Sequence, residues 1–193
     1  FAQVTNPAID SIREKIVMSL ESFIGPEKNI LDQTPEHSHK LEIKNPILSN
    51  AELQKISDIS INAFRTKIIY TFFDAKSGNE GFVRALERIC SEAEYAIEKG
   101  YAFIILSDRG ADENNIALPA LLAISAIHHH LVRKTIRSQV ALIVESAEPR
   151  EVHHFVLLFG YGADCINPYL AYEAIEYLIA TNQIALEPKQ ALA

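Results

Sequence analysis

VALIVESAEPREVHHFVLLFGYGADCINP, residues 140–168, decides how this chain folds. An unbroken apolar run at 140–144 closes on Glu145, and a short strand at 163–166 closes on Asn167. Between them, 149–159 reads as a helix with Pro149 at its first position and Val152, Phe155, Val156 and Phe159 as the inward stripe. Strand, helix and strand in so short a span describe a right-handed βαβ crossover, whose two strands are parallel. The 140–144 run is continuous rather than alternating, so both faces of the sheet should be covered.

Working outward, the same rhythm repeats. AFIIL at 102–106 is a strand closing on Ser107 and Asp108, and a helix is expected from about 116 to 133. KIIYTFF at 67–73 is a strand closing on Asp74. Between these strands, 81–99 reads as a helix with Phe82, Leu86, Ile89, Ala93 and Ile97 on one face and Gly100 as its stop. Pro168 opens a last helix to about Ala180. These units place the chain in the α/β class, as parallel-sheet βα repeats. They make either part of a TIM-like barrel or a small open doubly wound sheet.

The first third is less regular. Ile9, Ile12, Ile16, Leu20 and Phe23 form one apolar stripe, so 10–23 is expected to be a helix. Ser11 with Glu14 fits a capping box at its start, and Gly25-Pro26 stops it. Residues 25–48 look irregular, punctuated by Pro26, Pro35 and Pro46, and a loop this long suggests wrapping or a partner contact. Ser49 and Glu52 open a short helix. The expected organisation is one domain over 1–193: a helical segment at 1–24, a wrapping loop with a short helix at 25–66, and a βα core at 67–182.

Composition excludes several function classes. With 25 acidic against 18 basic residues the net charge is −7, which disfavours a nucleic-acid or acidic-membrane binder. The apolar runs are too short or too interrupted to span a bilayer. Two cysteines, Cys90 and Cys165, are too few for a disulfide scaffold and read as buried thiols in a reducing cytoplasm. The chain starts at Phe1 without a signal peptide, and is read as a piece of a larger polypeptide.

Polar residues end every strand: Asp74, Asp108, Glu145 and Asn167. Ligands of parallel α/β folds bind at this end, but Asp and Asn also cap loops and helices there, and Asn167 before Pro168 fits an N-cap. His128, His129, His130, His153 and His154 suggest a metal, yet spacing argues against it. Adjacent helical residues diverge by about 100°, and neither cluster has the i, i+4 pair of helical zinc sites. His128 shares a stripe with Ala117, Leu121, Ile124 and Leu131, so it should be a buried, hydrogen-bonded histidine. No phosphate-binding glycine loop or nucleophile elbow is present. On these residues alone, a small stand-alone α/β hydrolase using strand-end Asp, Glu and His remains a competing reading.

Four segments carry a specific resemblance: QVTNPAIDSIREKIVMSLESFIGPEKNIL at 3–31, NPILSNAEL at 45–53, ILSDRG at 105–110, and LPALLAISAIHHHLVRKTIRSQVALIVESAEPREVHHFVLLFGYGADCINPYLAYEAI at 118–175. In this order they resemble the central domain of glutamate synthases. The resemblance implies an α/β domain that is a rudimentary relative of an FMN-binding barrel, in line with the partial barrel counted from the strands. It implies a parent polypeptide in which an amidotransferase domain hydrolyses glutamine and ammonia passes through a tunnel to the FMN-binding domain. There ammonia adds to 2-oxoglutarate, with electrons delivered through an iron–sulfur cluster from NADPH, NADH or ferredoxin.

The resemblance assigns no catalytic residue, cofactor contact or metal ligand to this chain, and its partners would be the flanking amidotransferase and FMN-binding domains. One functional contribution is expected. Thr5, Asn6, Asp10, Arg13 and Glu14 lie where the chain would leave the amidotransferase domain, and would border the ammonia path or cap the first helix against a neighbour. An isolated partial barrel should also expose apolar surface through which it dimerises.

Overall fold

The structure, a computed structural model, describes residues 19–61 and 64–185. Its elements in chain order are β1 (Ser22–Ile24), β2 (Leu41–Ile43), α1 (Asn50–Ser57), β3 (Ser60–Ile61), β4 (Phe64–Tyr70), β5 (Phe72–Asp74), α2 (Gly78–Glu98), β6 (Phe103–Ser107), β7 (Asn115–Ala117), α3 (Ala120–Arg133), β8 (Ala141–Glu145), α4 (Val152–Gly160), β9 (Cys165–Asn167) and α5 (Tyr169–Ala180).

The expected βαβ unit is present as β8–α4–β9, and β8 and β9 are parallel. It extends into one sheet ordered β3-β4-β6-β8-β9, in which β4, β6, β8 and β9 are parallel and lie in chain order. Doubly wound sheets reverse strand order at a switch point. Here the parallel strands do not, and α2, α3 and α4 all pack into the same core. The α/β class is therefore as expected, with the parallel strands wound as in a segment of a βα barrel.

Register assigns each row of residues to a face. Ile69, Leu106, Val144 and Ile166 are aligned across the sheet and face α2–α4. The preceding row, Ile68, Ile105, Ile143 and Cys165, faces the other way, towards Leu53 and Ile56 of α1 and Ile24 and Ile43 of the β1–β2 pair. Two faces with two covers explain the unbroken apolar strands.

Both edges of the sheet are closed. β3 pairs antiparallel with β4 on one side. On the other, Ile166 N–H donates to Pro46 O and Leu48 N–H to Ile166 O, each at 2.8 Å. The residues around Ile47 thus run parallel beside β9 and occupy backbone groups that another strand would otherwise claim.

Several expectations are corrected. The helix expected over 10–23 does not include Phe23, because Ser22–Ile24 is a strand paired antiparallel with Leu41–Ile43; residues 10–18 of that expectation lie outside the described residues. Residues 25–48 are accordingly not wholly irregular. They contain β2 and a 3-10 turn at Pro35–Ser38. The 67–73 strand is broken at buried Thr71, whose N–H donates to Ser107 O at 2.9 Å and whose carbonyl accepts from Leu118 N at 2.6 Å. Past Thr71 the chain leaves the main sheet, and β5 pairs with β7. Residues 116 and 117 therefore belong to a strand, not to the third helix, which begins after Pro119. A residue before proline is pushed out of the helical region.

The fourth helix starts at Val152 rather than Pro149. Its inward residues are Leu158 with partly buried Phe155 and Phe159, while Val152 and Val156 are 79% and 58% exposed. Six of nine residues in VHHFVLLFG are apolar, so the sequence offers overlapping stripes and periodicity cannot choose between them.

Candidate functional site

The last register row defines the site. Tyr70, Ser107, Glu145 and Asn167 are aligned across the carboxyl ends of β4, β6, β8 and β9. Side chains alternate along a strand, so this row lies on the α1 side. A cavity of about 440 Å³ opens there, lined by Tyr70, Ser107, Arg109 and Glu145 from the sheet edge and by Asn50 and Gln54 from α1, among others. The start of α1 is fixed by a capping box, in which Ser49 Oγ accepts from Glu52 N–H and the Glu52 carboxylate accepts from Ser49 N–H, and Leu53 and Ile56 pack the helix on the sheet.

Arg109 is the hub of this edge. Its Nε donates to Glu145 Oε1 at 2.8 Å and its Nη1 to Glu173 Oε1 of α5 at 2.9 Å. Its guanidinium lies 4.0 Å from the centre of the Tyr169 ring. Ser107 Oγ donates to the second oxygen of Glu145 at 2.5 Å.

Asp108 is buried beside them. Its carboxylate accepts from Ser146 Oγ at 2.6 Å and from Ala147 N–H at 3.1 Å, which fixes the β8–α4 connection. Burial, reinforced by the charge of Asp108 and a hydrogen bond to it, raises the Tyr169 phenol well above its ordinary pKa. Glu145, Asp108 and Glu173 thus all accept internal bonds, and this set works as a strut between strand ends, a loop and α5.

Asn167 is not the expected N-cap. Pro168 takes that position, and the Asn167 amide instead donates to Leu48 O at 2.8 Å and Asn50 Oδ1 at 3.0 Å. Its own Oδ1 is buried without a partner. Asp74 sits away from this row, at the end of β5, where it accepts from Lys76 N–H.

The histidines take separate structural places. His128 is half-buried rather than buried, but it is hydrogen-bonded as expected. Its Nδ1 accepts from Arg137 Nε at 3.1 Å, while other Arg137 nitrogens donate to Val140 O, Gly162 O and Asp164. His130 joins α3 to Glu94 of α2 at 3.0 Å, and Lys134 does the same. Hydrogen bonds from His130 and then Lys134 hold the Glu94 carboxyl below its usual pKa. His154 closes a capping box with Glu151 at the start of α4, and His153 is exposed. Among the described residues, no three His, Cys, Asp or Glu side chains gather as a metal site. Thr5, Asn6, Asp10, Arg13 and Glu14 lie outside the described residues.

Sequence reasoning had found the strand-end acids but missed Arg109, Tyr169 and Glu173. SDRG directly after an apolar run signals Arg109 at a strand end. Nothing local signals Glu173, which comes from a helix far along the chain.

Comparison with known proteins places these features in a family. A family model described as the glutamate synthase central domain matches residues 1–192. Glutamate synthase [NADH] of Schizosaccharomyces pombe is 45% identical over 191 residues, 97% of this chain and 9% of that protein. Glutamate synthase [NADPH] large chain of Bacillus subtilis is 39% identical over the whole chain and 12% of that protein. Ferredoxin-dependent glutamate synthase of Pyropia yezoensis is 38% identical over 92% of this chain and 11% of that protein. The chain thus spans about a tenth of the length of these relatives.

Proposed function

Because the chain belongs to the glutamate synthase central-domain family, we propose that it is a connecting domain within a longer polypeptide. It joins an amidotransferase domain to an FMN-binding synthase domain and helps shape the ammonia path between them. The parent then makes glutamate from glutamine and 2-oxoglutarate in the cytoplasm, using FMN and an iron–sulfur cluster that this chain does not ligate. The observation that carries the reading is the match over essentially the whole chain but about a tenth of each relative.

The edge chemistry supports a scaffold rather than a stand-alone hydrolase. The carboxylates of Asp108 and Glu145 accept bonds from Ser146, Ala147, Ser107 and Arg109, whereas a general base needs a lone pair directed at substrate. Relatives named for NADH, NADPH and ferredoxin match at 45%, 39% and 38% identity. Such even similarity suggests that this domain does not choose the electron donor.

The test is coupling in the full-length enzyme. Asn6→Ala and Arg13→Ala should raise the glutamine hydrolysed per 2-oxoglutarate consumed above unity, while synthesis from added ammonium is retained. An unchanged ratio in both variants rules out a tunnel role for these residues.

A further inference from the structure

Helix α5 reads YLAYEAIEYLIA, apolar at every position except Glu173 and Glu176. A helix needs only one apolar stripe to pack on its own domain, and the half-buried Ala171, Tyr172, Ile175, Leu178 and Ile179 supply it here, so apolar residues outside that stripe call for a second cover. Yet none of its residues is buried, and none joins either core cluster. Leu170 and Tyr177 are 39% and 64% exposed, and Ala174 lies between them on the same helical face at i, i+4, i+7 spacing. α2 shows what an ordinary covering helix of this fold does: its Ala85, Ile89, Ala93 and Ala96 are buried. Polar contacts at the first turns hold α5 to the sheet edge, through Arg109 with Glu173 and Arg109 on Tyr169.

We infer that the Leu170–Ala174–Tyr177 face of α5 docks against an apolar surface elsewhere in the same longer polypeptide, outside residues 1–193. This rests on the reading of the chain as a connecting domain. Two arguments select that occupant over a second copy of the chain. Twelve helical residues span about 18 Å and offer on the order of 200 Å² on one face, whereas a stable interface between separate chains needs about 800 Å² per partner. The relatives carry about nine-tenths of their length outside the matched region, and a tethered segment acts at an effective concentration on the order of millimolar. A small apolar face therefore suffices inside one polypeptide and falls short between two.

The test is photocrosslinking in the full-length polypeptide, with p-benzoylphenylalanine placed at Leu170 in one variant and at Tyr177 in another. The expected product at both positions is an intramolecular crosslink, mapped by mass spectrometry to a segment outside 1–193. A crosslink to a second copy, one confined to residues 1–193, or none would overturn the docking assignment. Glutamine-dependent glutamate synthesis by the unmodified polypeptide reports separately on the connecting-domain reading, so either can fail without the other.

Discussion

Gly162 and the His128 ring compete for one space. Gly162 has φ of +109°, and a Cβ built there would overlap the imidazole and lie 2.9 Å from the His128 Cβ. The ring cannot simply swing away, because its Nδ1 holds Arg137, which also binds Val140 O, Gly162 O and Asp164. A single glycine thus lets one arginine tie the end of α3 to the start of β8 and the approach to β9.

Gly162→Ala should therefore cost about 2–4 kcal/mol, from backbone strain together with displacement of His128. Since roughly 2–4 °C accompanies each kcal/mol at this size, thermal melting should show a fall of at least about 4 °C. Gly110→Ala is a useful contrast. It too has a positive φ, of +96°, but a Cβ there meets nothing within 4 Å, so its cost should be the smaller. Equal losses would remove the steric role assigned to His128.

Acid should loosen the same network. Burial, then the charges of Arg137 and His129, lower the His128 pKa below 6.5, with Asp164 opposing them. The folded state therefore resists a proton that the unfolded chain takes up near pH 6.5. The stabilisation from neutral His128 is fully present above that pH and is lost as pH falls through the folded pKa. Melting temperatures between pH 7.5 and 5 should fall more steeply for the native chain than for His128→Gln, which keeps an acceptor but does not titrate. Parallel profiles would show that another group controls the acid limb.

The carboxylate of Asp108 supports a loop. Asp108→Ala leaves Ser146 Oγ and Ala147 N–H without their acceptor in a buried setting, which costs about 2–3 kcal/mol. It also removes the negative charge beside Tyr169. Spectrophotometric alkaline titration should then show a tyrosine ionising at lower pH than in the native chain. An unmoved titration with an intact fold would mean that burial alone sets the Tyr169 pKa.

What the sequence disclosed follows from locality. The runs at 102–106 and 140–144 are long and uniform, so parallel buried strands were legible, whereas their order, which separates a barrel segment from a doubly wound sheet, was not. Ser49 and Glu52 announce α1 because both halves of a capping box lie within four residues. By contrast, β1 and β2 are three residues each, pair only with one another and pack through Ile24 and Ile43 on a distant sheet face, so no periodicity marks them. The exit of the chain at Thr71 depends on bonds to Ser107 and Leu118, which no local window contains. The histidine clusters follow the helical spacing: neighbours in sequence diverge, and His128, His130 and His154 reach Arg137, Glu94 and the Glu151 cap separately.

Asn167 closes the sheet in two directions at once, and its replacement should show that they are linked. Its amide donates to Leu48 O, within the segment that seals the edge of β9, and to Asn50 Oδ1, at the start of α1. Asn167→Asp is nearly isosteric but replaces the donor with a carboxylate facing two acceptor oxygens. A buried charge without a partner costs several kcal/mol unless it takes up a proton. Hydrogen exchange should then accelerate together in the 46–48 segment and α1, because both hang from this side chain, while α2 and α3 on the opposite face keep their protection. If only β9 loosened, the α1 cover would be held chiefly by Leu53 and Ile56 rather than by this amide.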